Sequence, residues 1–199
     1  KNIVWLKENY PDTNHYTDIN KVLNDPDIDA IIISTPINSH FTIAKKSLES
    51  KKHIFVEKPL AMNEEELSEI NDAYEAANLK GNPKQVMVGF NRRFAPFTSE
   101  IKTFFENRVS PMIAYYRVNA GNIPHDHWVY DKKEGGGRII SEACHFIDYL
   151  TYVVGSKPIE VIANSISTQK SQDTMDNFII NISFEDGSIG TVIYTSKGN

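Results

Sequence analysis

Cysteine is nearly missing from this chain. Cys144 is the only one in 199 residues, which rules out an internal disulfide and fits a reducing compartment, so a cytoplasmic location is expected. Long apolar runs are missing too. No stretch approaches the roughly 18 residues that a membrane-spanning helix needs. Positive charge has no excess: 21 Lys and Arg face 26 Asp and Glu, a net charge of -5, so nucleic acid is not an expected partner. What remains is globular in composition, 40% hydrophobic and 24% charged, enough for one large domain or parts of two. The ends, Lys1-Asn2-Ile3-Val4 and Lys197-Gly198-Asn199, read as interrupted elements, the pattern of a piece of a longer protein.

Residues 3 to 9 and 18 to 24 read as helices, the second capped by Thr17 or Asp18. Asp29 to Pro36 is a continuous apolar run with a small polar exit, the pattern of a central parallel strand buried on both faces. Asn38 or Ser39 then caps a helix whose Phe41, Ala44 and Leu48 share a face. The next apolar run, His53 to Lys58, ends abruptly in Glu57-Lys58-Pro59. Charges do not belong inside a buried strand, so these residues mark its exit. Asn63-Glu64-Glu65-Glu66 resembles a capping box opening a helix with Leu67, Ile70, Ala73, Tyr74 and Ala77 as its core stripe, closed by Gly81-Asn82-Pro83. Gln85 to Phe90 is another strand. Strand, helix, strand, helix, strand predicts a parallel sheet, half of a doubly wound Rossmann-type domain.

The pattern changes after residue 93. Phe94, Phe97, Ile101 and Phe104 or Phe105 stripe one amphipathic helix. From Met112 the period is two, and Phe178, Ile180, Ile182 and Phe184 share a face before the turn Glu185-Asp186-Gly187-Ser188. These read as half-exposed antiparallel strands. The expected fold is therefore α/β plus α+β: a partial doubly wound domain over 1–92 and a truncated α+β domain over 93–199 with a mostly antiparallel open sheet. One exposed sheet face would suit pairing into a homo-oligomer.

Several residues have the chemistry for a site. Ligands bind at the carboxyl ends of strands in open parallel sheets, which is where Lys58 falls; its plain alternative is a snorkelling lysine paired with Glu57. Glu134-Gly135-Gly136-Gly137 precedes a segment that reads as a helix, with Ser141, His145 and Asp148 on one polar face and Ile140, Cys144, Ile147 and Leu150 toward the core. His145 is either an idle helix histidine or an acid/base group with its pKa near the working pH. Thr35-Pro36-Ile37-Asn38-Ser39-His40 is a routine turn or a ligand-receiving one. Arg92-Arg93 could clamp an anion or solvate a hinge. His125-Asp126-His127 has no zinc-motif spacing, so no metal is expected.

As a set, Thr35-Pro36 with His40, Glu57-Lys58-Pro59, Asn91-Arg92-Arg93-Phe94, and the triple glycine followed eight residues later by His145 resemble the glucose–fructose oxidoreductase, inositol dehydrogenase and MocA family. The resemblance implies a Rossmann domain, a C-terminal sheet domain, NAD or NADP as cofactor, and a sugar, sugar-nucleotide or cyclitol hydroxyl as the reacting group. By it, Lys58 and His145 are the catalytic residues. Thr35, Pro36, Asn38, His40, Glu57, Lys58, Pro59, Asn91 and Arg92 would meet the cofactor, and Trp128, Ser141, His145 and Asp148 the carbohydrate-type substrate. Two departures stand out. There is no G-x-G-x-x-G here, so this stretch alone is expected to bind a dinucleotide poorly. Ser141 stands where many relatives have aspartate, which leaves a non-catalytic binding or regulatory relative as the alternative.

Overall fold

The computed structural model describes residues 2–79, 83–166 and 176–197. Two short helices lead in, α1 (Asn2–Asn9) and α2 (Ile19–Leu23). Asp18 caps α2, its carboxylate accepting from the Asn20 amide at 2.9 Å. A three-stranded parallel sheet follows: β1 (Ala30–Ile33), β2 (His53–Val56) and β3 (Val86–Val88), in that spatial order, with Ala30 opposite His53 and Ile54 opposite Val86. The crossovers are α3 (His40–Glu49) and α4 (Glu64–Asn78).

Strands laid down in the order one, two, three with crossovers of one hand put both helices on the same side. Ile31, Ile33, Ile54 and Val56 are therefore buried under Ala44, Leu48 and Ile70. The other face is open: Ile32 is 74% exposed and Met87 is exposed with it. β1 is thus not the doubly buried strand that its composition suggests, because within this chain it is an edge covered on one side.

Local signals at helix ends hold in part. Asn63 accepts from the Glu66 amide at 2.8 Å, while Glu66 reaches back to the Met62 amide, one residue earlier than a standard box. No side-chain cap from Asn38 or Ser39 opens α3; a 3-10 turn over Ile37–Ser39 leads into it instead. Leu67, placed in the core stripe of α4 by periodicity, is exposed. The expected stop at Gly81-Asn82 lies outside the described residues.

The second half holds α5 (Pro96–Phe104), α6 (Cys144–Val154) and a four-stranded sheet in the order β4 (Ile113–Asn119), β7 (Ile189–Thr195), β6 (Phe178–Phe184), β5 (Pro158–Ser165). β5, β6 and β7 run antiparallel and β4 is parallel to β7, so the sheet is mostly antiparallel with one parallel pair at its edge. A helix-containing connection separates β4 from its neighbour, so no tight hairpin forces it antiparallel. Phe178, Ile180, Ile182 and Phe184 are buried on one face as expected, packed with Val192 and Tyr194 against α6. The stripe on α5 is a correction. Phe94, Phe97 and Phe104 are exposed, and Thr98 is the buried residue of that helix. Among the described residues no helix is long and apolar enough to cross a membrane.

Candidate active site

The carboxyl end of β2 is held on both sides by extended ladders. The Glu57 amide donates to Ile33 O at 2.9 Å and the Gly89 amide to Val56 O at 2.7 Å. The chain leaves the sheet through a cis Lys58–Pro59 peptide. Behind it, His40 is buried with both ring nitrogens on backbone carbonyls, Nδ1 2.8 Å from Pro59 O and Nε2 2.9 Å from Thr35 O. His40 therefore clamps the β1 turn to the β2 exit, and its side chain faces neither groove nor solvent. Glu57 is turned toward Gly89, where an added Cβ would sit 3.1 Å from its Oε2.

Lys58 reaches across to the other half of the molecule. Its Nζ donates to the Ser141 carbonyl at 2.6 Å. Ser141 lies in a π-helical turn, Ile139–Ala143, that runs directly into α6. Such a turn inserts an extra residue and changes the phase of the helix, and π turns recur at functional sites. The turn breaks the α-helical spacing between Ser141 and His145, while Leu150 is buried and Ile147 packs against the core as read. The buried face is Ala143, Phe146, Leu150, Val153 and Val154, whereas Ile140, Cys144 and Ile147 are only partly buried. Ser141 and Asp148, expected beside a substrate, are both buried. Ser141 Oγ donates to Gly137 O at 2.9 Å, so its contribution toward Lys58 is its carbonyl.

The glycines fix the approach to this turn. A Cβ on Gly135 would lie 2.4 Å from Val129 Cα, and Gly136 and Gly137 have φ of 68° and 82°, the left-handed region that disfavours side chains. Trp128 is thereby set across from the β1 turn. Together with Glu134, it and Ser34 to Asn38 line a groove of about 630 Å³. Thr35, Pro36 and Asn38 thus share one groove, which borders on Trp128, a residue that the sequence grouped with the substrate.

His145 is half-buried on the first turn of α6, its Nδ1 buried without a hydrogen-bond partner. Its ring meets Phe90 edge to face at 6.3 Å. Burial pushes its pKa down to about 4, and the positive charges of Lys58 and then Arg92 push the same way. That is lower than the near-neutral value the sequence suggests for an acid/base histidine, because sequence spacing cannot show two cations arriving from another element. Burial likewise pushes the Cys144 thiol up, with Lys58 opposing.

The arginines divide their work. Arg93 binds Asp148 in a two-toothed pair, Nε to Oδ2 at 2.7 Å and Nη2 to Oδ1, so Asp148 ties the 3-10 turn Asn91–Phe94 to α6. Arg92 lies over the Phe146 ring at 4.9 Å and donates to the Tyr116 hydroxyl at 3.0 Å, while its Nε is buried without a partner. Sequence reasoning missed Tyr116 altogether, along with the network in which Glu142 accepts from Arg138 at 3.1 Å and from the Tyr194 hydroxyl at 2.6 Å. No motif carried them; only the register of β4 and β7 under α6 brings them in. His127 accepts from the Val129 amide at 3.3 Å and His125 is exposed. Among the described residues no group of three or more His, Cys, Asp or Glu could hold a metal ion.

The parallel sheet and the second, mixed-sheet half thus meet where Lys58 reaches the Ser141 carbonyl, one turn ahead of His145. Comparison with known proteins is specific. Residues 6–90 match the model of an oxidoreductase family with an NAD-binding Rossmann fold, and residues 109–197 match the GFO/IDH/MocA C-terminal domain. The chain belongs to this glucose–fructose oxidoreductase, inositol dehydrogenase and MocA family. It is 32% identical to the uncharacterised oxidoreductase YrbE of Bacillus subtilis over 182 residues, 88% of this chain and 51% of that protein. It is 30% identical to a scyllo-inositol 2-dehydrogenase (NAD(+)) of the same organism over 179 residues, 86% of this chain and 50% of that one. A levoglucosan dehydrogenase solved with NADH and levoglucosan superposes with a TM-score of 0.80 at 28% identity, covering 99% of this chain and 55% of its own. The chain spans about half the length of the curated relatives it matches.

Proposed function

We propose that the protein to which this chain belongs is an NAD(P)-dependent oxidoreductase acting on a hydroxyl of a sugar, sugar nucleotide or cyclitol. The observation that carries this reading is the junction itself: Lys58, from the exit of β2, is bonded to the backbone one turn ahead of His145, whose Nδ1 is buried and unpartnered. The groove lined by Thr35, Pro36, Asn38 and Trp128 fits one part of an extended cofactor, and His40 ties Thr35 O to Pro59 O behind it. A dinucleotide held by Thr35, Pro36 and Asn38 would supply the hydride acceptor or donor. The family resemblance and the relatives' dinucleotide and polyol ligands support the same assignment.

In this reading His145 does the proton work. With its pKa near 4 it is neutral at working pH and holds a lone pair free to take the hydroxyl proton. Lys58 orients the hydroxyl and favours its ionised form by charge, an interaction that strengthens as the oxygen becomes anionic. Ser141 acts through its carbonyl, which fixes Lys58, and Asp148 acts through Arg93. Lys58→Met and His145→Ala in the intact protein are each expected to lower kcat about 100-fold or more, the scale of acid–base groups. Turnover close to wild type in either variant removes that residue from its role.

A non-catalytic relative is the second reading, favoured by one observation: Ser141 is uncharged and its hydroxyl is already committed to Gly137 O. An intact protein that leaves NAD(P)H fluorescence unchanged at millimolar cofactor would select it. Self-association is proposed to use the uncovered sheet face, where Ile113, Tyr115 and Val161 are exposed.

A further inference from the structure

Once Lys58 and His145 are assigned, one cation at the junction has no task. Arg92 stands at the carboxyl end of β3, in the 3-10 turn Asn91–Phe94, yet its contacts all belong to the second half: the Phe146 ring, and the ring and hydroxyl of Tyr116. It takes no part in lining the Ser34 to Asn38 groove. Its Nε–H is buried and has no acceptor. A guanidinium is always charged and can only donate.

The acids nearby do not balance it. Asp148 is held by Arg93, and Glu142 by Arg138 and the Tyr194 hydroxyl. Glu57 is turned toward Gly89. Among the described residues neither Lys58 nor Arg92 forms an ion pair. Two cations thus act on His145, and the carboxylates that act on it as well, Asp148 and Glu142, are already paired with Arg93 and Arg138. A neutral polyol would bring no countercharge to these two half-buried cations, and an uncompensated half-buried charge is costly. An anionic group would satisfy the Nε–H and the charge together.

We propose that the substrate of this site carries a negative charge, a carboxylate or phosphate on a sugar-type polyol, and that Arg92 is the residue that selects it. The proposal rests on the reading that Lys58 and His145 flank the reacting hydroxyl. It moves Arg92 from the cofactor side to the substrate side, because Tyr116 and Phe146 hold it there.

The test is calorimetric binding of four probes to the intact protein: D-glucuronate, D-glucose 6-phosphate, D-glucose and myo-inositol. At least one acid probe is expected to bind about tenfold or more tightly than D-glucose, the scale of a hydrogen bond to a charged group. Preference for glucuronate identifies a carboxylate, and preference for glucose 6-phosphate a phosphate. Arg92→Gln should erase the advantage of the acid while changing neutral-probe binding less than about threefold, and Arg92→Lys should keep part of it. Neutral probes binding as well as the acids, no binding of either acid, or an acid preference that survives in Arg92→Gln overturns the proposal. NADH oxidation or NAD reduction is followed separately. An acid that binds but is never turned over counts against the dehydrogenase reading alone, and turnover confined to neutral polyols counts against the anion alone.

Discussion

Replacing Lys58 by methionine should be felt at His145 as a change in titration. The imidazole is held near 4 against an ordinary value of 6.5, with burial the largest cause, Lys58 the second and Arg92 the third. Methionine keeps the volume and removes the charge, so burial stays in place. The midpoint should therefore rise from about 4 toward the ordinary value without reaching it. The same gap makes stability depend on pH. The unfolded chain takes up a proton at His145 as pH falls below about 6.5, while the folded chain waits until about 4. Stability is accordingly lost as pH falls across that window. The full gap corresponds to roughly 3.4 kcal/mol, and a half-exposed imidazole screened by solvent should deliver about 1–2 kcal/mol of it. The assay has two parts: NMR of the imidazole Cε1–H, assigned with His145→Gln, and urea unfolding at neutral and acid pH. Wild type should lose about 1–2 kcal/mol more than His145→Gln on acidification. A wild-type His145 midpoint near 6.5, or one in Lys58→Met no higher than in wild type, would refute the proximity on which the proposed site depends.

Other substitutions test the frame around the site. Gly135→Ala drives a methyl into the Val129 backbone and should cost about 1–3 kcal/mol, with a changed Trp128 emission, by thermal unfolding and fluorescence. Phe184→Ala, 1% exposed, should cost about 3–5 kcal/mol, whereas Phe104→Ser, 81% exposed, should stay within about 0.5 kcal/mol; equal losses would contradict the burial of one or the other. Asp148→Asn removes the partner of Arg93 and should destabilise by about 1–3 kcal/mol, with Arg93→Met in the same background adding little, a coupling read by a double-mutant cycle.

Much of this was legible in the residues themselves. The alternation from 29 to 90 announces a parallel sheet because strands and helices bury different periodicities, and the abrupt Glu57-Lys58-Pro59 marks a strand end because charge and proline are expelled from a sheet interior. The inward set Phe178, Ile180, Ile182 and Phe184 reads from period two alone. Periodicity also misled. The phenylalanines of α5 and Leu67 of α4 form regular stripes that lie open, since a stripe states that a face is apolar and says nothing about what covers it. β1 is likewise apolar on both faces but covered on one.

The site was half legible. Residue types named Lys58 and His145, because only a few side chains move protons or hold charge at a strand end or helix start. That Lys58 reaches the turn one step ahead of His145 was decided by the fold. The π turn at Ile139–Ala143 changed the helical phase on which the sequence argument depended, turning Ser141 inward so that its carbonyl meets Lys58. The low pKa of His145, the contacts of Arg92 with Tyr116 and Phe146, and the Glu142–Tyr194 contact all arise between elements distant in the chain. Local sequence determined the pieces, since propensity and patterning act within a few residues. Desolvation and charge pairing depend on distances between those pieces, and only the tertiary structure sets them.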